Sequence, residues 1–177
     1  WSSDVCSSDL QVQQLVASKN FAELQNRITQ AEAIPNKTPY ETYVLNRVKM
    51  VHGSASGNDA AVIQAAEAVV ASGFEPKENQ AKLILAVADL QYKAKNYGAA
   101  IDQLKRYQQM GGDMTSARPL LVRAMYLNKD YAGAKNELTQ IVADAEKAGK
   151  TPTQEDLKLL LSSAHEAKDN AAYANAV

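Results

Sequence analysis

Residues 129–138 read KDYAGAKNEL, and residues 95–104 read KNYGAAIDQL. Tyr131, Ala134 and Leu138 follow Tyr97, Ala100 and Leu104 at one offset of 34 positions. Self-similarity at a fixed period of a few tens of residues marks a supersecondary unit that is built more than once and stacked on its neighbours. The fold therefore turns on what lies around these two stretches.

Upstream of the first, Leu83, Ile84, Val87, Ala88 and Gln91 lie on one helical face, and Leu120, Leu121, Ala124, Met125 and Tyr126 repeat that stripe before the second. Ala100, Ile101, Leu104 and Tyr107 open a second stripe, which Ala134, Leu138, Ile141 and Val142 repeat. Leu157, Leu160, Leu161 and Ala164 begin a third copy. On this register the second helix of each pair opens near Phe21, Asp59, Tyr97, Tyr131 and Asn170, at spacings of 38, 38, 34 and 39. The longer spacings fall where Gly or Pro occurs, around residues 35–38, 73–79 and 146–153.

The punctuation agrees with helices. Thr38-Pro39-Tyr40-Glu41 places a Thr N-cap before a Pro in the first turn and a Glu that reaches back, and Thr151-Pro152-Thr153-Gln154 predicts a second such start. Gly73 and the pair Gly111-Gly112 suit helix C-termini. Pro119 predicts a helix beginning near Thr115 or Ser116, because only a first turn can spare the amide hydrogen. No alternating strand pattern, hairpin dipeptide or glycine-rich phosphate loop is present, so the chain reads as all-helical.

Composition bounds the partners. The 177 residues suffice to bury a core, and a hydrophobic content of 46% with two Phe and one Trp favours close-packed helices over a sheet. Nineteen basic against twenty acidic residues leave a net charge of −1 without a basic stripe, which argues against nucleic acid as a partner. No apolar run approaches the ~20 residues of a membrane span, and no basic-then-apolar leader opens the chain. Instead residues 1–10, WSSDVCSSDL, form a polar tract without helical period that holds the single Trp and the single Cys. This tract resembles a translated sequencing-adapter scar and is expected to be a non-native, disordered leader to a repeat domain over residues 11–177. The end at AAYANAV, inside a helical pattern, implies truncation there as well.

A 34-residue helix–turn–helix unit resembles the tetratricopeptide repeat (TPR). Family units carry a small eighth residue, an aromatic seventeenth, a small twentieth and a large twenty-fourth. Ala88, Tyr97, Ala100 and Leu104 match that set; Val122, Tyr131, Ala134 and Leu138 match it with valine for the small residue; and Phe21 in FAELQNRI keeps a partial copy. Met50 and Asp59, and later Leu161, Asn170 and Tyr173, depart from it. The resemblance implies a right-handed α-solenoid of antiparallel helix pairs over residues 11–177. It extends to bacterial proteins of uncharacterised role, often exported ones, which favours the periplasm or another exported location.

Little in the chain points to catalysis or metal. The only histidines are His52 and His165, the cysteine lies in the leader, and no GxSxG, HExxH or CxxC occurs. His165, Glu166 and Asp169 offer two or three metal ligands where a structural zinc site takes about four, so a solvated helix end is the better reading and no metal or cofactor is expected. The resemblance supplies the candidates instead: in that family the second, fifth, ninth and twelfth residues of each unit line a concave groove that holds a partner segment. On this sequence they are Lys82, Leu85, Asp89 and Tyr92; then Ser116, Pro119, Arg123 and Tyr126; then Glu155, Lys158, Ser162 and His165; with Arg47, Val44, Val51 and Ser54 in the earlier unit. Tyr92, Tyr126 and His165 form a ladder of rings with polar tips, open equally to partner binding and to packing between units. Mixed charge in the set disfavours a dense basic clamp for a C-terminal carboxylate. The expected function is a non-enzymatic scaffold that binds a protein or peptide segment. The alternatives are a stacking segment of a larger solenoid, or the regulatory part of a larger enzyme or sensor.

Overall fold

The computed structural model describes the backbone of residues 4–168 and the side chains of residues 11–168. Among the described residues all regular structure is helical: α1 Asp4–Ala17, α2 Phe21–Ala33, α3 Pro39–Ser56, α4 Asp59–Ala71, α5 Lys77–Lys93, α6 Tyr97–Gln109, α7 Met114–Leu127, α8 Tyr131–Lys147 and α9 Gln154–Glu166. The chain divides into two compact units, Trp1–Leu90 and Gln91–Val177, with the boundary inside α5. In the first unit α1, α2 and α3 pack on one another and α4 packs on α3; in the second, α6 packs on α7, α7 on α8 and α8 on α9.

Helices open where the repeat register, with its spacings of 38, 38 and 34, places them. Phe21, Asp59, Tyr97 and Tyr131 are the first residues of α2, α4, α6 and α8; the expected opening at Asn170, with Tyr173, lies outside the described residues. The turn in front of each of these helices has one construction. Lys19, Gly57, Lys95 and Lys129 adopt left-handed φ values of 56°, 71°, 63° and 63°. The next residue, Asn20, Asn58, Asn96 or Asp130, donates its backbone amide to the carbonyl five residues earlier, at 2.8–2.9 Å. This is the closing bond of a Schellman cap, which satisfies a carbonyl that the preceding helix leaves unpaired. The Asn20, Asn58 and Asp130 side chains then accept the amides of Glu23, Ala61 and Gly133, so one residue ends a helix and caps the next. Asn96 instead donates to Gln91 Oε1 at 3.0 Å. Left-handed backbone is unfavourable for a lysine, by about 1 kcal/mol, and the paired caps on both sides offset it.

The repeated residues form the core. Ala88, Ala100, Leu104 and Ala134 are fully buried, and Val122 and Leu138 are 1% exposed. Small residues at these points let helices approach closely and aliphatic ones fill the space between them. Elsewhere in the first unit, to which Ala88 also belongs, Leu24, Ile28, Ala65, Ala66 and Val69 do the same. Gly53 on α3 sits so near α4 that an added methyl group would meet Val62 at 3.0 Å, which fixes that helix contact as a backbone approach.

Two local expectations differ from the structure. α9 begins at Gln154, not after Thr151: Thr153 is the N-cap, accepting the Asp156 amide at 3.1 Å while its hydroxyl donates to the Asp156 carboxylate. Glu155 and Asp156 in that first turn complement the helix dipole, which the earlier register would have left outside it. α7 begins at Met114 under an Asp113 cap, so Pro119 lies inside the helix, past its first turn. The backbone of residues 4–10 is part of α1.

Candidate partner-binding groove

The nine expected contact residues divide between the units. Arg47, Lys82, Leu85 and Asp89 lie in the first, and Tyr92, Arg123, Tyr126, Lys158 and His165 in the second. In the second unit the structure gathers Tyr92 from the end of α5, Arg123 and Tyr126 from α7 and Lys158 from α9 around one open groove of about 700 Å³. Gln154, Glu155 and Ser162 of α9 complete its polar lining, with Leu127 and Leu159 as its aliphatic part. Helical spacing accounts for the grouping: Arg123, Tyr126 and Leu127 are i, i+3 and i+4 on α7, and Gln154, Glu155, Lys158, Leu159 and Ser162 follow the same rule on α9.

The tyrosines take part in two kinds of contact. Tyr92 meets Tyr97, the first residue of α6, edge to face with ring centroids 5.6 Å apart, and Tyr126 meets Tyr131 of α8 in the same way at 5.3 Å. The pairs are themselves 34 residues apart, and the same left-handed turn folds the chain between each ring and its partner. An edge-to-face pair contributes about 1 kcal/mol beyond its buried area. Both groove tyrosines are only half-buried, so one side of each ring packs on the helix junction while the residue also lines the groove.

Charge in the groove is arranged rather than merely mixed. Arg123 Nη2 and Glu155 Oε1 form an ion pair at 2.5 Å that links α7 to α9. Lys158, one turn along from Glu155, is exposed and has no carboxylate within ion-pair distance among the described residues. His165 is exposed on α9 but is not part of the groove lining. Asp169, which the metal reading of His165 and Glu166 requires, lies outside the described residues, and among those described no group of three or more His, Cys, Asp or Glu is placed to hold a metal.

The remaining candidates have other surroundings. Lys82 pairs with Glu78 at 2.7 Å on the exposed face of α5, while Leu85 and Asp89 are half-buried. Arg47 stands over the Tyr43 ring, 5.8 Å from its centroid. His52 is an edge-on neighbour of Phe21 at 6.4 Å.

Two features of the first unit escaped the sequence reading. An apolar trough of about 290 Å³ lies among Val12, Leu24, Ile28, Val44 and Val48, with Ile34 and Tyr40 at its exposed rim. Beside it Tyr40, Tyr43 and Phe74 cluster with ring centroids 5.4–5.7 Å apart. The Tyr43 hydroxyl donates to buried Glu75 Oε2 at 2.8 Å, and Asn79 Nδ2 donates to Oε1 at 2.8 Å. Burial, and next the bond to Glu75, raise the Tyr43 phenol above its ordinary value of 10.0. Phe74 and Glu75 sit in a stretch that sequence reading treats as an insertion between repeats, so no periodic signal marks them.

No family model, curated protein or solved structure matches the chain. No described helix is long and apolar enough to cross a membrane.

Proposed function

We propose that the protein is a non-enzymatic interaction module, a TPR-like solenoid of antiparallel helix pairs, that holds a segment of a partner protein in a groove. The observation that carries this reading is the convergence of Tyr92, Arg123, Tyr126 and Lys158 from three helices onto one open groove. Rings with polar tips grip an extended main chain well, because they combine apolar area with a hydrogen-bonding end and lose few rotamers on binding. The test is selection of a random-peptide display library on the full chain, followed by affinity measurement on a Tyr92→Ala/Tyr126→Ala variant whose circular dichroism matches the parent. Loss of about tenfold or more in affinity is expected. Equal affinity for both proteins would remove the groove as the binding site.

A second reading, a stacking element of a larger solenoid or assembly, is favoured by one feature: the apolar trough in the first unit with Ile34 and Tyr40 exposed at its rim. Self-association that rises with concentration and is abolished by Tyr40→Glu, measured by sedimentation, would favour it over the first.

A further inference from the structure

We infer that the groove of the second unit selects a segment that presents a single carboxylate side chain beside a large apolar one, with Lys158 taking the carboxylate and Leu127 and Leu159 taking the apolar neighbour. The inference rests on the groove reading above and adds the chemistry of the partner. It follows from which charges in the groove are already committed. Arg123 already has Glu155 beside it, so an incoming carboxylate directed at it would face that negative charge. Lys158 has no carboxylate within ion-pair distance among the described residues, and its exposed ammonium is the cation of the groove left to be complemented. One unpaired cation beside one resident carboxylate suits one negative charge; a run of acidic residues would meet Glu155, and a basic segment would meet both Lys158 and Arg123.

The apolar half of the motif has an equally local origin. Leu127 is 45% exposed at the end of α7 beside Tyr126, and Leu159 is half-buried one residue from Lys158 on α9. Covering this pair removes aliphatic surface from water next to the ammonium, so charge and apolar contact are read together. Gln154, Ser162 and the two tyrosine hydroxyls remain as hydrogen-bonding groups for the partner's main chain.

The test uses the library selected on the full chain. Enriched sequences are expected to carry Asp or Glu adjacent to Leu, Ile, Met or Phe. A synthetic peptide of that kind, compared with its Glu→Gln or Asp→Asn form by fluorescence anisotropy, is expected to bind about fivefold more tightly, with the difference shrinking at high salt. Lys158→Glu should abolish the preference and Lys158→Arg should keep it; both substitutions are at an exposed position. Enrichment of neutral or basic peptides that still depend on Tyr92 and Tyr126 would overturn the acidic preference and leave the groove reading intact. Peptides indifferent to Tyr92 and Tyr126, or no enriched peptides at all, would overturn both.

Discussion

Ser163 is completely buried on α9, and its hydroxyl has no hydrogen-bond partner among the described residues. The residue five positions before Lys129, as Ser163 is five before Lys168, is Ala124, also completely buried and without a polar side-chain atom. An unsatisfied buried hydroxyl costs about 1–3 kcal/mol relative to its hydrated state. Ser163→Ala should therefore stabilise the protein by about 1–2 kcal/mol, seen as a higher denaturant midpoint at unchanged slope. A lower midpoint would mean that the hydroxyl has a partner after all. At this scale the sequence was legible for apolar residues and opaque for polar ones. Ala88 and Leu104 announce their burial through spacing and type, whereas nothing about a serine discloses that it is buried without a hydrogen-bond partner.

The start of α3 shows how far local sequence specifies an element. Thr38 accepts the Glu41 amide at 3.2 Å, and the Glu41 carboxylate accepts the Thr38 amide at 2.8 Å, as the spacing of Thr, Pro and Glu predicts. The amide of Thr38, and then its hydroxyl, hold the Glu41 carboxyl below its ordinary value of 4.5. A carboxyl whose folded value is lowered adds stability that is present above its unfolded value and is lost as pH falls through the folded one. Acidification below pH 4.5 should thus lower the melting temperature of the parent more than that of Glu41→Gln, which keeps an oxygen acceptor but does not titrate. Parallel curves would show that the cap contributes nothing to acid sensitivity. The α9 start, at Thr153 and not Thr151, marks the limit of such reading. Two candidate caps lie two residues apart, and Asp156, placed to bond Thr153 from both its amide and its carboxylate, decides between them.

Across the molecule, the repeated junction is the unit of stability. Leu104 on α6 and Leu138 on α8, 34 residues apart, are 0% and 1% exposed, and each should cost about 2–5 kcal/mol when cut to alanine. Chemical denaturation of Leu104→Ala and Leu138→Ala should give losses in that range for both; a loss below about 1 kcal/mol for either would show that its copy is not built like the other. What the sequence determined by itself is the helical content, the starts of α2, α4, α6 and α8, and the buried faces, because these follow from periodicity and from caps closed within a few residues. The left-handed lysines before those starts, the placement of Tyr92 and Tyr126 with Arg123 and Lys158 around one groove, and the commitment of Arg123 to Glu155 were decided by the tertiary structure. Each depends on which residues distant in sequence share a space, and a single helix's pattern carries no record of what faces it.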